Sequence, residues 1–175
     1  VEYPASFMLV AAMNPCPCGF YNHPEKECVC APGIVQKYLN SITGPLLDRV
    51  DIHIEVTPVP FSELSTERAQ MRSRDVRERV IQARSIQRER YEGSSIHCNA
   101  QMSAQQLRRI CRIDAAGNAL LEKAMDRLGL SARAYDRILK VSRTIADLAG
   151  SDAIGTEHLA EAIQYRSLDR EGWAG

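Results

Sequence analysis

The amino-acid sequence predicts a mainly α-helical protein in which a bundle of helices follows a smaller α/β piece. Three observations support this prediction. The C-terminal part carries apolar residues at helical spacing between helix-capping residues, two short apolar runs near the N-terminus have the length of strands, and a proline-rich segment that suits neither lies between them. We therefore predict two domains, an N-terminal part of residues 1–60 and a helical domain of residues 61–175.

The first strand candidate is residues 7–13, which are continuously apolar and end at Asn14-Pro15. A short apolar run stopped by a proline turn predicts a strand buried on both faces, as in a parallel sheet. Ligands bind beyond the carboxyl ends of strands in such sheets, and an Asn there suits holding a water beside a phosphate. Asn-Pro is also a common turn dipeptide, so Asn14 alone decides little.

The proline-rich segment, residues 15–33, contains four prolines and four of the six cysteines. These cysteines form two C-x-C pairs: Cys16 with Cys18, and Cys28 with Cys30. Four thiolates suit a tetrahedral zinc ion, which would order a segment that lacks a core, with His23 as a substitute ligand. The spacing matches neither a standard zinc finger nor a ferredoxin, and reduced thiols or disulfides remain alternatives. Cys98 and Cys111 stand alone, which predicts an exposed thiol and a core residue.

A second strand candidate covers residues 50–56, where apolar and polar side chains alternate after a short helix predicted over residues 34–42. Arg49 comes just before this strand, between the acidic residues Asp48 and Asp51. One interpretation is a surface ion pair of little energetic weight. The other is a guanidinium presented to the γ-phosphate bound by a neighbouring subunit.

Five helices are predicted after residue 62. The first is a long Arg-rich helix from about Thr66 to Tyr91, on which Val76, Val80, Ala83 and Gln87 share a face. The next helices begin at Ser103, whose partner Gln106 completes a capping box, at Asp114, with Gly129 as its end, at Ser131 and at Thr156. This pattern is typical of a helical bundle.

The helix that begins at Ser131 carries an apolar stripe comprising Tyr135, Ile138, Ser142, Ile145 and Leu148. Arg133 falls in its first turn, where the helix dipole disfavours a cation. A residue that breaks a local rule is a candidate for function. Arg137 lies one turn further along the same side, so a solvated basic face is the competing interpretation.

Three segments together resemble successive motifs of the ComM/YifB group of magnesium-chelatase-like AAA+ ATPases: VAAMNPCPCG (10–19), GPLLDRVD (44–51) and LSARAYDRILKVSRTIADL (130–148). The resemblance implies the C-terminal helical lid bundle of an AAA+ module, preceded by a remnant of its α/β core. It implies that Asn14 is the sensor-1 residue, that Arg49 is the arginine finger and that Arg133 is the sensor-2 residue, with Arg137 as the alternative.

The same resemblance implies an ATPase that uses ATP and Mg²⁺ and assembles into a hexameric ring. In that group the Walker A and Walker B motifs precede sensor 1, and this sequence contains no G-x-x-x-x-G-K-[ST]. We therefore expect upstream sequence to supply them, and expect these residues alone to be inactive. The strand candidates would also lack the strand between them, so we expect residues 7–13 and 50–56 to be poorly ordered, rearranged or paired between chains.

DNA is a candidate partner through the resemblance, because the group is associated with DNA remodelling in competence and recombination. The residues themselves do not favour it: the formal net charge is zero, and the Arg-rich helix mixes both signs without aromatic residues. The resemblance also implies that magnesium chelatase proper, which acts on tetrapyrroles, lacks these paired cysteines, which disfavours chlorophyll chemistry for this chain. Two alternatives remain, a zinc-stapled binding module and a helical protein-interaction domain.

Composition places the chain among globular proteins, with 45% hydrophobic and 25% charged residues. No apolar run approaches the roughly 20 residues that cross a bilayer, and no secretion signal is visible. We therefore expect no membrane partner and a cytoplasmic location.

Overall fold

The computed structural model describes residues 7–42, 44–59 and 71–166. Its described residues divide into two compact units, one of residues 7–42 and one of residues 44–59 with 71–166. The domain boundary placed at residue 60 falls beside a stretch outside the described residues, so it stays a prediction. The predicted start of the Arg-rich helix near Thr66 lies in that stretch as well.

Seven α-helices and one short 3₁₀ helix account for the regular structure of the described parts. The helices are α1 (Pro32–Leu39), α2 (Gly44–Leu47), α3 (Ser73–Arg90), α4 (Ala104–Ile110), α5 (Ala115–Leu128), α6 (Ala132–Leu148) and α7 (Thr156–Gln164), and the 3₁₀ helix is Asn99–Gln101. The mainly α prediction is confirmed. None of the described helices is long and apolar enough to cross a membrane.

Neither strand candidate forms a β-strand: residues 7–13 and 50–56 are irregular. All of residues 7–13 are exposed. In the second candidate the predicted inward face is reversed, since Ile54 is 67% and Val56 86% exposed whereas His53 is only 6% exposed. A strand needs a neighbour to share its backbone hydrogen bonds, and neither segment has one among the described residues. The strand predictions are therefore wrong for the described chain, and rearrangement was the expected consequence of a missing neighbour.

The first unit has a small interior. Its buried side chains are those of Cys16, Val35 and Leu39. A turn at the loop's start brings the N–H of Gly19 within 3.0 Å of the carbonyl oxygen of Cys16, and Gly19 has a positive φ of 82° that favours glycine. Val35 and Leu39 lie one turn apart on α1, so this helix contributes one short apolar stripe.

The second unit has one continuous apolar core around α6. Helix α6 packs against α3, α4, α7 and the 3₁₀ helix, and α5 packs against α7. The core consists of Tyr91, Met102, Leu107, Cys111, Leu121, Ile138, Leu139, Ala146, Ile154, Leu159 and Ala162. Gly117 permits the close approach of α5 to α7, because a Cβ there would lie 2.8 Å from Cδ1 of Leu159.

Local capping side chains set the ends of these helices, as predicted. The hydroxyl of Ser103 accepts from the N–H of Gln106, whose side chain accepts in return from the N–H of Ser103. Asp114 caps α5 at 2.7 Å, and Ser131 caps α6 at 3.2 Å. Gly129 ends α5 in the left-handed conformation, with φ of 60°. These predictions are confirmed. Caps of this kind can be predicted from sequence because each depends on residues a few positions apart.

Two predicted apolar stripes need correction. On α6, Tyr135 is 37% exposed, and the buried face consists of Ala134, Ile138, Leu139, Ser142, Arg143, Ala146 and Asp147. On α3, Ala83 and Gln87 are buried, but Val76 and Val80 are exposed. The difference arises because only the C-terminal half of α3 has buried residues.

Candidate functional site

Arg49 lies in a tight turn directly after α2. Its N–H donates to the carbonyl of Leu46 at 2.9 Å, and the N–H of Val50 donates to the carbonyl of Leu47 at 3.0 Å. The Arg49 side chain is exposed, and its Nη1 donates to the carbonyl of Pro45 at 3.0 Å. The turn therefore fixes the backbone of Arg49, and its guanidinium is exposed although Nη1 bonds to Pro45.

The backbone that follows Arg49 is fixed to the end of the helical bundle. The buried guanidinium of Arg166 donates to the carbonyl of Val50. The N–H of His53 donates to the carbonyl of Tyr165, just after α7, at 2.8 Å. Two main-chain contacts therefore anchor residues 50–53 in the second unit.

The acidic residues on either side of Arg49 contact the first two turns of α6. Asp48 accepts from the hydroxyl of Ser131, the N-cap of α6, at 3.4 Å between Oγ and Oδ1. Asp51 accepts from Nη1 of Arg137 and forms an ion pair with it. The segment that carries Arg49 is thus joined to the N-terminal end of the helix that carries Arg133.

Arg133 is the second residue of α6 and is exposed. It has no hydrogen-bond or ion-pair partner among the described residues, whereas Arg137 is occupied by Asp51. The structure therefore brings Arg49 and Arg133 onto adjoining elements of one unit. Asn14 is exposed and belongs to the first unit, so its position is described within that unit alone.

The four paired cysteines converge in the first unit. The sulfur of Cys16 lies 3.3 Å from that of Cys18 and 3.7 Å from that of Cys28, and all four, including Cys30, lie within 4.8 Å of one another. Four sulfurs around a tetrahedral zinc ion at about 2.3 Å would be about 3.8 Å apart. All six cysteines are free thiols. The donor set and its spacing thus fit a zinc ion.

The ionisation of these thiols is unequal. A backbone hydrogen bond from Phe20 lowers the pKa of Cys18 to about 6, helped by the Cys16 and Cys30 side chains. For Cys28 the N–H of Cys30 lowers the pKa, but burial and the neighbouring sulfurs outweigh it and raise the pKa to about 12. Sulfurs this close cannot all carry negative charge without a cation, and a bound divalent ion would supply it.

The other candidate thiol and imidazole ligands lie outside this cluster. His23 accepts through Nδ1 from the N–H groups of Glu25 and Lys26, at 3.0 and 3.1 Å. This nitrogen therefore stabilises the turn of residues 23–26. Cys111 is a core residue as predicted, and burial raises its pKa to about 11. Cys98 is half-buried rather than fully exposed.

Sequence reasoning missed a buried polar network between α3, the 3₁₀ helix and α6. Both carboxylate oxygens of Asp147 accept from Arg90, at 2.5 and 2.7 Å. Asp147 also accepts from Arg143 at 3.0 Å and from Asn99 at 2.8 Å. Asn99 in turn accepts from the hydroxyl of Tyr91 at 2.8 Å. One sequence signal could have indicated this network: Arg143 and Asp147 are four residues apart on α6, where they share a face with apolar residues.

This network shifts the pKa values of its ionisable residues. Burial alone would raise the pKa of Asp147, but the hydrogen bonds from Arg90 and Asn99 outweigh it and hold the pKa below its ordinary value. The same hydrogen bond to Asp147 raises the pKa of Arg90. Burial raises the pKa of Tyr91 to about 12. The network therefore contains a permanent ion pair, which is a structural arrangement and not a site open to a ligand.

Two family profiles match the chain. The family described as "Magnesium chelatase, subunit ChlI C-terminal" matches residues 70–166, and the one described as "Magnesium chelatase, subunit ChlI" matches residues 1–64. Together they cover the unit with Arg133 and the segments with Arg49 and the four cysteines.

Individual relatives match almost the whole chain. Competence protein ComM of Haemophilus influenzae is 44% identical over 97% of the chain, and the uncharacterized protein YifB of Escherichia coli is 42% identical over 97%. An uncharacterized protein of Mycobacterium bovis is 38% identical over 94%. The chain spans about a third of the length of these curated relatives, at 32%, 33% and 32%.

Proposed function

Because this chain belongs to the magnesium chelatase ChlI family, we propose that it forms the C-terminal part of a ring-forming AAA+ ATPase of the ComM/YifB type. Upstream residues would supply the phosphate-binding loop and the acids that hold Mg²⁺. The residues described here would sense the nucleotide and stabilise charge on the transferred phosphoryl group. The protein would act in the cytoplasm.

The observation that carries this proposal is the placement of two accessible arginines on adjoining elements. Arg49 is exposed in the turn after α2, and Arg133 is exposed at the start of α6. Phosphoryl transfer gains most from cations placed at the oxygens where charge develops. A guanidinium held in a turn and left without a carboxylate partner among the described residues suits that task.

We assign the residues separate roles. Arg49 acts as the arginine finger on the nucleotide of the next subunit, so the active site is complete only after self-association into a ring, with six subunits in the proposed form. Arg133 binds the phosphates as the sensor-2 residue, and Arg137 is the weaker candidate because Asp51 occupies it. Asn14 orients the attacking water as the sensor-1 residue.

Zinc is the second proposed cofactor, beside ATP with Mg²⁺. Cys16, Cys18, Cys28 and Cys30 would hold it. Four thiolates leave no open coordination position, so zinc would order the loop and take no part in hydrolysis. DNA is the proposed substrate of the motor, and the support for it is the name of the relative called a competence protein.

Substitution of the arginines tests the ATPase assignment. In the full-length protein, Arg49→Ala should lower kcat about 1,000-fold, because an arginine finger stabilises charge only in the transition state. Arg133→Ala should weaken ATP binding about tenfold or more, since it removes a charged hydrogen bond to phosphate. Turnover is measured by phosphate release, and nucleotide affinity by equilibrium titration.

Arg74→Ala is the matched control, because Arg74 is an exposed arginine that forms ion pairs with its α3 neighbours Asp75 and Glu78. It should keep wild-type turnover and ring assembly. Wild-type turnover in Arg49→Ala would contradict the finger assignment, and absence of ATP hydrolysis in the unmodified protein would remove the proposed function altogether.

A second candidate function is a zinc-stapled binding module, which the convergence of the four thiols favours. In that case the cysteine loop carries recognition and the helices serve only as support. Loss of partner binding on zinc removal, with ATP turnover unchanged in the assembled ring, would favour this module. A helical protein-interaction domain has no separate observation in its favour.

A further inference from the structure

Arg49 has two acidic neighbours in sequence, yet neither carboxylate pairs with it. Asp48 accepts from Ser131, and Asp51 accepts from Arg137. An aspartate two residues away could otherwise form an ion pair with Arg49 and cancel its charge. The contacts with α6 therefore keep the guanidinium of Arg49 available to a phosphate.

The Asp51–Arg137 ion pair should contribute little to the free energy of unfolding. The two side chains are 52% and 28% exposed, and ion pairs at such sites stabilise a fold by about 0–1 kcal/mol. The backbone of the same segment is held independently, through the carbonyl of Val50 and the N–H of His53. Removal of the pair should therefore loosen this segment without detaching it from the bundle.

Arg137 also connects the two accessible arginines. It lies one helical turn after Arg133 on α6, so the two residues share a face. Its ion pair with Asp51 joins that face to the turn that contains Arg49. The pair thus sets where Arg49 lies relative to the first turn of α6.

We propose that Asp51 and Arg137 are positioning residues that hold the turn containing Arg49 against α6 and keep a carboxylate away from its guanidinium. This inference rests on the proposed function and extends it to two residues that touch no nucleotide. Asp51 acts through Arg49, and Arg137 acts through Asp51.

The experiment cuts the pair from each side in the full-length protein. Asp51→Asn and Arg137→Gln should each lower kcat about 10- to 100-fold, because a small misplacement of a charged group costs about this much. The KM for ATP should stay within about twofold, since neither residue touches the nucleotide in this proposal. The double variant should be no slower than the worse single variant, and Arg137→Lys should retain most of the activity.

Hydrogen exchange by mass spectrometry gives a readout that does not depend on turnover. Peptides that cover residues 48–53 should exchange faster in both variants, while those of α6 and α7 stay protected. Glu78→Gln, which cuts the exposed Arg74–Glu78 pair on α3, is the control and should change neither kcat nor exchange at residues 48–53.

The outcomes separate the two proposals. Faster exchange with a lower kcat and an unchanged KM supports the positioning role. Unchanged exchange, or faster exchange with wild-type kcat, overturns it, as does a raised KM in Arg137→Gln alone, which would make Arg137 a nucleotide ligand. Faster exchange in a full-length protein that hydrolyses no ATP overturns the proposed function, and the catalytic use of the pair with it.

Discussion

The cysteine loop of the first unit and the helical bundle of the second bring polar groups together by different physical means. In the loop, four thiols converge in a unit whose described residues bury little, namely Cys16, Val35 and Leu39. In the bundle, Asp147 is enclosed by an apolar core and satisfied by donors from three side chains. The loop would take its counter-charge from the proposed zinc ion, whereas the bundle carries its own in Arg90 and Arg143.

The two regions should therefore tolerate different conditions. A region ordered by metal is sensitive to chelators and oxidants but needs little apolar burial. A region ordered by a core and an internal ion pair is indifferent to metal, yet sensitive to loss of a single charged partner.

Metal removal should unfold the cysteine loop and spare the bundle. We expect one zinc per chain under reducing conditions, and a strong chelator or Cys16→Ser should raise amide exchange across residues 14–30. Apparent binding free energies of structural zinc are about 10–16 kcal/mol at neutral pH, so no other single change should affect the loop as much. Elemental analysis and hydrogen exchange measure the two effects.

Cys98→Ser is the control for this prediction, since Cys98 lies outside the cluster and should leave the zinc content unchanged. A chain that binds no zinc when reduced, or a loop equally protected with and without chelator, would remove the contrast between the two regions.

Asp147→Asn should destabilise the bundle by about 3–5 kcal/mol, because it leaves the buried guanidinium of Arg143 and the partly buried one of Arg90 without their counter-charge. Urea unfolding followed by circular dichroism measures the change. The loop's zinc content should not change. Glu78→Gln removes an exposed ion pair on α3 and should stay within about 0.5 kcal/mol of the wild type.

The ion pairs of Asp147 also make the stability of the bundle depend on pH. The pKa of Asp147 is lowered in the folded state, so its contribution is fully present above the ordinary Asp pKa of about 3.9. That contribution is lost as pH falls through the lower folded-state value. Stability should therefore drop below about pH 4, and Asp147→Asn should show a shallower drop. An equal slope in both proteins would contradict the assigned ion pair.

Ser131→Ala should have the smallest effect, about 1 kcal/mol, because it removes one N-cap from α6 and leaves the core intact. Ser131→Thr keeps the capping oxygen and should recover most of the loss in urea unfolding. A loss above about 3 kcal/mol would mean that the contact of Ser131 with Asp48 stabilises the bundle more than the cap does.

Local features of the second unit could be predicted because they depend on neighbours in sequence. The caps at Ser103, Asp114 and Ser131 are of this kind, and each was found where expected. The buried network could not be predicted, because Arg90 and Asp147 are 57 positions apart and neither local sequence indicates that the two residues will pair. On α3, Arg90 looked like one more surface arginine.

The candidate site shows the same limit. The spacing of the cysteines predicted that four thiols would act together, and they do converge. The exposure of Arg49 depends instead on where Asp48 and Asp51 find partners, which only the packing of α6 decides. The strand candidates failed for a related reason: their pattern specifies a face, but a ladder requires a second strand.

Gly117 on α5 links the side-chain size that position 117 allows to the side chain at position 159 on α7. A methyl group at residue 117 would lie 2.8 Å from Cδ1 of Leu159, so a side chain there would require Leu159 to move or α5 and α7 to separate. Among related sequences, a larger residue at this position should therefore occur together with a smaller one at 159.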